Sequence, residues 1–316
     1  MTEPSAPPSA PAAYPRTELP AGFETVFHSG EGGARLRTVH WDSGDDSRPP
    51  ILFMGGKRDF IERHAESFQR IRARGHRLAA LDWRDQGLSS RASCASCDLF
   101  DMMERDFLHI VEWAAELFGE PVHAVAHSMG GHMLLRTLAA HESARAQTRR
   151  LVLSAPMLGL GGRLNHAFMR ITAEAMVAAG MGEHRPPGQP PYGPIYRAEE
   201  RRRKLTGDEV RFSEGFAFID KDPRLAAGGA TWGWLRAAMR SMAALETRGN
   251  YERIGNEAQF LLGDHEQVVS PAAIRRAVKR MPRARLLEVA DGHHELFLDT
   301  DAVQDEVWPA IWDFLG

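Results

Sequence analysis

The chain of 316 residues carries 43% hydrophobic residues and a formal net charge of -3, with a pI near 6.5. That length buries a large core and favours a core with an inserted lobe over one simple domain, and the charge gives no electrostatic case for nucleic acid. Two cysteines, Cys94 and Cys97, cannot build a disulfide framework, and their C-x-x-C spacing has neither a second pair nor a strand-helix redox context, so they read as loop thiols.

The N-terminal MTEPSAPPSAPAAYPR has no apolar segment behind a basic start and reads as neither signal peptide nor membrane anchor. It is Pro/Ala-rich, and disorder is expected over residues 1–17. No stretch approaches the roughly 18 apolar residues of a spanning helix, so a soluble, cytoplasmic protein is expected. Phe23 to Ser29 and Ala34 to Trp41 read as two strands joined by the turn GEGG. Ile51 to Met54 is a short apolar strand running into Gly55-Gly56, and Phe60 to Arg74 follows as an amphipathic helix. His76 to Trp83 is a strand, Met102 to Phe118 a helix, Pro121 to Ala126 a strand, Gly130 to His141 a helix and Leu151 to Ser154 a strand.

Strands and helices alternating at this spacing imply a mostly parallel sheet covered on both faces. The alternation breaks from Pro156 to about Tyr251, where Gly/Pro clusters separate helical pieces such as Asn165 to Ala179 and Trp232 to Leu245. It resumes with a strand at Ala258 to Leu262, a helix at Ala272 to Arg280, a strand at Arg285 to Val289 and a helix at Ala302 to Phe314. The expected organisation is a core of residues 18–155 and 252–316 carrying a helical cap over 156–251.

Within this pattern PVHAVAHSMGG places Ser128 on a strand-to-helix turn, with small residues Ala126 and Gly130 two before and two after it. This is the pattern of a nucleophile elbow, in which a strained turn lifts a hydroxyl out of the sheet. Ligands of open parallel sheets sit at the carboxyl ends of the strands. The strand ending at Val289 runs into ADGHHELF, offering His293 and His294 as bases, and the strand ending at Leu262 runs into GDHEQVV, offering Asp264 and Glu266 as the acid. The order Ser, acid, His is that of the α/β-hydrolases. An oxyanion hole is expected from the backbone N–H of Met129 and from the loop MGGKRDF, at Lys57, with its neighbour Gly56 as the alternative.

Across residues 20 to 314 the sequence resembles the α/β-hydrolase serine hydrolases grouped as lysophospholipase L2-like and monoacylglycerol lipase-like proteins, the serine aminopeptidase S33 type. GGKRDFIER looks like the family's G-R-x-E-F-I-E-K block, DWRDQGLSSR like D-x-R-G-x-G-x-S, AHSMGG like G-H-S-M-G-G, LLGDHEQVVSP like G-x-x-D-x-V-V, and GHHELF like the H-E block. The resemblance implies an α/β-hydrolase fold with an eight-stranded, mostly parallel sheet and a triad of Ser128, His294 and Glu266. Asp264 stays the alternative acid, since the family normally carries Asp where Glu266 stands. Asp85 replaces a family glycine.

The implied chemistry is acyl transfer on carboxylic esters, with a lysophospholipid or monoacylglycerol as substrate. No metal or cofactor is expected, because H-E-x-x-H and paired Cys/His spacings are absent. Small-molecule ester or lipid is the expected partner, with no nucleic acid and no obligate protein partner. Phe168, Met169, Met176, Met181, Phe216, Phe218, Trp232, Trp234 and Met239 make the cap rich in soft and aromatic surface suited to an acyl chain. The basic run RAEERRRK, Arg197 to Lys204, is either a solvated helix face or a transient contact for anionic membrane headgroups. Two other readings stay open: an aminopeptidase of the same fold, with Glu214 or Asp220 facing a substrate amine, and a catalytically silent binding protein.

Overall fold

The computed structural model describes residues 16, 18–91, 98–162 and 166–316. Cys94, Cys97 and, apart from Arg16, the expected N-terminal tail lie outside the described residues. Eight strands form one sheet: β1 (Glu24–Ser29), β2 (Arg35–Trp41), β3 (Ile51–Met54), β4 (Leu78–Leu81), β5 (Val122–His127), β6 (Thr148–Ser154), β7 (Ala258–Gly263) and β8 (Ala284–Val289). Their spatial order is β1-β2-β4-β3-β5-β6-β7-β8. β2 runs antiparallel to both of its neighbours, β1 and β4, and every pairing from β4 to β8 is parallel. The central strands ILFM, LAAL and VHAVAH are buried along their whole length, as strands covered on both faces must be.

Helices cover each face. On one side α1 (Ala65–Ala73) and α10 (Asp301–Leu315) seat Phe68, Ile71, Val307 and Ile311 against Phe53, Val125 and Leu261 of the sheet. On the other, α2 (Leu99–Phe118), α3 (Met129–Ala140) and α9 (Pro271–Arg280) bring Phe107, Ile110, Leu134, Leu138 and Ile274 against Leu52, Ala124 and Leu153. Side-chain caps fix several starts: Asp98 accepts from the Asp101 N–H to begin α2, and Ser270 from the Ala273 N–H to begin α9, which has Pro271 in its first turn.

The boundaries depart from the sequence expectation where polar groups intervene. The expected helix from Phe60 starts as a 3-10 turn at Ile61–His64 before α1, because the Asp82 carboxylate takes the Ile61 N–H at 3.0 Å. A short α4 (Glu142–Ala146) follows α3 and carries too little periodicity to be read from sequence.

Between β6 and β7 the chain builds α5 (His166–Ala178), α6 (Glu199–Leu205), α7 (Glu209–Lys221) and α8 (Trp232–Leu245). This insertion divides physically. Leu235, Ala238, Met239 and Met242 of α8 join the large cluster that includes α2 and α3, whereas Phe218 and Ile219 of α7 form a small separate cluster with Phe60 and Leu225. α7 is tied to the core by charge: the buried Arg211 guanidinium reaches Glu66 at 2.8 and 2.9 Å and Asp301 at 2.6 Å, and donates to the Asp299 carbonyl at 3.1 Å.

Gly130 marks the tightest packing between strand and helix. A Cβ there would stand 2.6 Å from the Gly55 carbonyl oxygen and 2.9 Å from that of Met54, so backbone, not a flexible side chain, would have to yield. Gly130→Ala is expected to lower the free energy of unfolding by about 2–3 kcal/mol through overpacking, read as a drop in the urea midpoint. Ala126→Gly, which removes a methyl, should cost under about 1 kcal/mol.

Candidate functional site

Ser128 closes β5 and opens α3 with φ 51° and ψ −115°, a conformation that costs a residue with a Cβ of order 1–3 kcal/mol unless its surroundings impose it. They do so through the backbone. The Ser128 N–H donates to the Ser154 carbonyl at 2.9 Å, and its own carbonyl accepts from Met157 at 2.9 Å and His132 at 3.2 Å. The loop after β3 passes directly over this turn: a Cβ on Gly56 would lie 3.1 Å from that of Ser128 and 3.0 Å from Cδ2 of His127.

The hydroxyl is the first member of a hydrogen-bonded series. Ser128 Oγ lies 3.0 Å from His294 Nε2, and His294 Nδ1 lies 2.7 Å from Glu266 Oε2. The other carboxylate oxygen of Glu266 accepts from the N–H groups of Val268 at 2.6 Å and Val269 at 2.9 Å. All three side chains are buried. Burial alone would raise the Glu266 carboxyl, but the facing imidazole, its hydrogen bond and the two backbone donors hold it below the usual carboxylate range. Asp264 is exposed and makes no contact with the imidazole. His293 turns away: its N–H and Nδ1 lie 2.8 and 3.1 Å from the buried Asp299 carboxylate.

In the loop after β3, the Gly56 N–H is taken by Asp59 Oδ2 at 2.9 Å and the Arg58 N–H by Gln86 Oε1. Among the described residues the intervening Lys57 N–H and the Met129 N–H at the start of α3 have no protein acceptor. The site therefore presents two open backbone donors beside one hydroxyl.

Buried charge beneath this loop went unread in the sequence. Arg63 donates to Asp59 at 3.0 Å and to both oxygens of Glu295 at 3.0 and 2.5 Å, joining the loop after β3 to the residue beside His294. His64 lies 2.9 Å from Asp59. The Glu295 N–H in turn donates to the Leu205 carbonyl of α6 at 2.8 Å. The signal was present in the GGKRDFIER and GHHELF blocks themselves, whose charged residues pair with each other. Asp85, where the family carries glycine, has φ +69, which is why glycine suits that position. His127, buried against the His294 ring at a centroid separation of 4.8 Å, is pushed down to about 3, chiefly by burial and then by that neighbour, and stays neutral.

Two cavities open beside the loop and share Lys57. One, of about 60 Å³, is bounded by Lys57, Arg58, Tyr196, Arg201, Phe216 and Glu295. The other, of about 210 Å³, is bounded by Lys57, Leu99, Met103, Met129, Arg185 and Trp234 among others. Of the apolar residues expected to line an acyl site, Phe216 borders the smaller cavity and Trp234 the larger, Met239 packs into the main core, and Phe168 is 67% exposed. Glu214 pairs with Arg16 and Asp220 with Arg197. In the basic run, Arg202 and Arg203 pair with Glu199. Among the described residues no group of three or more His, Cys, Asp or Glu side chains is arranged to hold a metal ion, and no helix is long and apolar enough to cross a membrane.

A probable lysophospholipase L2 of Haemophilus influenzae is 23% identical over 299 residues, spanning 93% of this chain and 92% of that protein. Among solved structures, a soluble variant of monoglyceride lipase from Saccharomyces cerevisiae superposes with a TM-score of 0.72 at 17% identity, covering 96% of this chain and 99% of that one. A thermostable carboxyl esterase from Bacillus coagulans gives 0.74 at 15% identity, covering 94% and 98%. These structural likenesses establish the α/β-hydrolase fold. The sequence model of the family described as serine aminopeptidase, S33, matches residues 45–301, and the chain belongs to that family of hydrolases.

Proposed function

We propose that the chain is a serine hydrolase cleaving carboxylic esters of lipid type, a lysophospholipid or a monoacylglycerol, through Ser128, His294 and Glu266. The observation that carries the reading is the unbroken series from Glu266 through His294 to Ser128, at 2.7 and 3.0 Å. In it His294 Nε2 accepts the Ser128 proton as Oγ adds to the ester carbonyl, and Glu266, ionised and fixed by Val268 and Val269, stabilises the resulting imidazolium and its tautomer. The Met129 and Lys57 N–H groups, free of other acceptors, receive the oxyanion. His294 then gives its proton to the leaving alcohol, and water, deprotonated by the same imidazole, hydrolyses the acyl-enzyme.

The lipid class draws support from the likeness to a probable lysophospholipase and to a monoglyceride lipase, and from Leu99, Met103, Met129 and Trp234 around the larger cavity. The aminopeptidase reading is disfavoured. An amine substrate needs an unneutralised carboxylate, yet Glu214 and Asp220 are paired elsewhere and the smaller cavity's own carboxylate, Glu295, is bound to Arg63. A silent binding protein has no need of a buried, aligned Ser-His-Glu series.

Hydrolysis of p-nitrophenyl esters from acetate to palmitate, with lysophosphatidylcholine and monoacylglycerol alongside, tests the reading: turnover should rise with acyl length and depend on Ser128. Ser128→Ala should cost on the order of a million-fold in kcat. Glu266→Gln should cost about 10⁴-fold by disturbing the imidazole tautomer, while Asp264→Asn stays within about twofold; the reverse ranking would move the acid to Asp264. No Ser128-dependent turnover of any ester overturns the proposal.

A further inference from the structure

We propose that Arg58 and Arg201 form a receptor for an anionic group, a phosphate or a carboxylate, carried by the ester substrate; this rests on the serine esterase reading and names the substrate class of that site. The two guanidiniums come from different parts of the chain, Arg58 from the loop after β3 and Arg201 from α6. They meet over one buried phenol ring, with Cζ atoms 4.9 and 4.4 Å from the Tyr196 ring centre. Both border the cavity of about 60 Å³ beside the loop that bears the open Lys57 N–H. Tyr196 is itself fixed, its hydroxyl donating to the Pro190 carbonyl at 2.7 Å.

What separates these cations from the others nearby is the lack of an ionised partner. Arg63 is held by Asp59 and Glu295, Arg197 by Asp220, and Arg202 and Arg203 by Glu199. Among the described residues, neither Arg58 nor Arg201 forms an ion pair with a carboxylate: both rest on the Tyr196 ring, Arg58 also interacts with the Tyr196 hydroxyl, and the carboxylate that acts on both, Glu295, is bound to Arg63. The Lys57 ammonium adds to the cluster, 4.8 Å from the Trp234 ring, and Arg185 borders the adjoining cavity. Like charges gathered in a partly desolvated pocket repel one another. Burial first, and neighbouring cations after it, push Lys57 down to about 7 and Arg201 to about 10. An anion seated between the guanidiniums relieves that repulsion and gains charge-assisted hydrogen bonds. Glu295, whose charge Arg63 holds, also lines the cavity, and the cavity shares Lys57 with the adjoining one that Met129 borders, so an anchored anion sits beside the loop that carries one of the two open N–H donors.

Two matched pairs test this on the full chain: monobutyrin against butyryl-glycerol 3-phosphate, and p-nitrophenyl butyrate against mono-p-nitrophenyl glutarate. The wild type should prefer at least one anionic member about tenfold or more in kcat/KM, and the pair that shows the preference identifies phosphate or carboxylate. Arg201→Gln and Arg58→Gln should each lower kcat/KM for the anionic ester about 10–100-fold, mainly through KM, as loss of a charged hydrogen bond does. The neutral twin should stay within about twofold, and Arg203→Gln should change neither. Equal use of neutral and anionic twins by the wild type, or equal loss on both in the variants, overturns the receptor. Absence of Ser128-dependent turnover of the neutral esters is instead a failure of the esterase reading. In that event inorganic phosphate supplies the test without turnover. It should raise the melting temperature of the wild type and not that of the Arg58→Gln, Arg201→Gln double variant, and an equal rise in both overturns the proposal.

Discussion

A serine held at φ 51°, ψ −115° between a buried strand and a helix sets the terms for everything around it. The conformation points the hydroxyl outward and opens the Met129 N–H beside it, but it survives only because Ser154, Met157 and His132 occupy both backbone groups of Ser128. It also brings strand, helix and the loop after β3 so close that Gly130 has no room for a side chain against backbone and Gly56 has little against the nucleophile's turn. Glycine here is a matter of distance; neither of these two residues has a positive φ.

The second shared constraint is buried charge used for registration. Burying ions rarely stabilises a fold by much, because desolvation offsets attraction. Here the charges instead link segments far apart in sequence. Arg63, held by Asp59, reaches Glu295 across 232 residues, and Asp82 gathers Arg37, Ile61 and Leu88 at 2.6, 3.0 and 2.8 Å. The first bond fixes the loop with the open donors relative to the loop with the imidazole. The second fixes where α1 and its preceding turn begin.

Much of this was legible in the residues. The apolar runs of β3, β5 and β7 end at glycine or at polar residues, and their carboxyl ends carry the residues of the site, so Ser128 and a histidine after β8 could be found by order alone. Glu266 and Asp264 could not be separated by periodicity, since both lie in one loop; the resemblance of GDHEQVV to the family's G-x-x-D-x-V-V block implied Glu266, and Val268 and Val269 are the residues whose N–H groups hold its carboxylate. Lys57 could be preferred to Gly56 as donor, but the reason was beyond reach, because it lies in Asp59 and Gln86 occupying the flanking N–H groups. The insertion was legible as helical but not in its division. α8 reads as one more amphipathic helix, and nothing local reveals that its apolar face joins the main core while α7 is attached by Arg211.

That division bears on how the insertion is joined to the loops of the site. α8 is anchored by apolar contact with the main core, whereas α6 and α7 combine the small Phe60, Phe218, Ile219 and Leu225 cluster with polar links: Arg211 with its carboxylates, Thr206 on the Leu298 carbonyl at 2.8 Å, and the Glu295 N–H on Leu205. The polar links are directional, so each fixes a position as well as holding a contact. The outer half of the insertion is thus the half held mainly by directional polar bonds, and one of these is donated by the residue adjoining His294. The outer helices and the loop that carries the imidazole therefore share a backbone hydrogen bond one residue from the base.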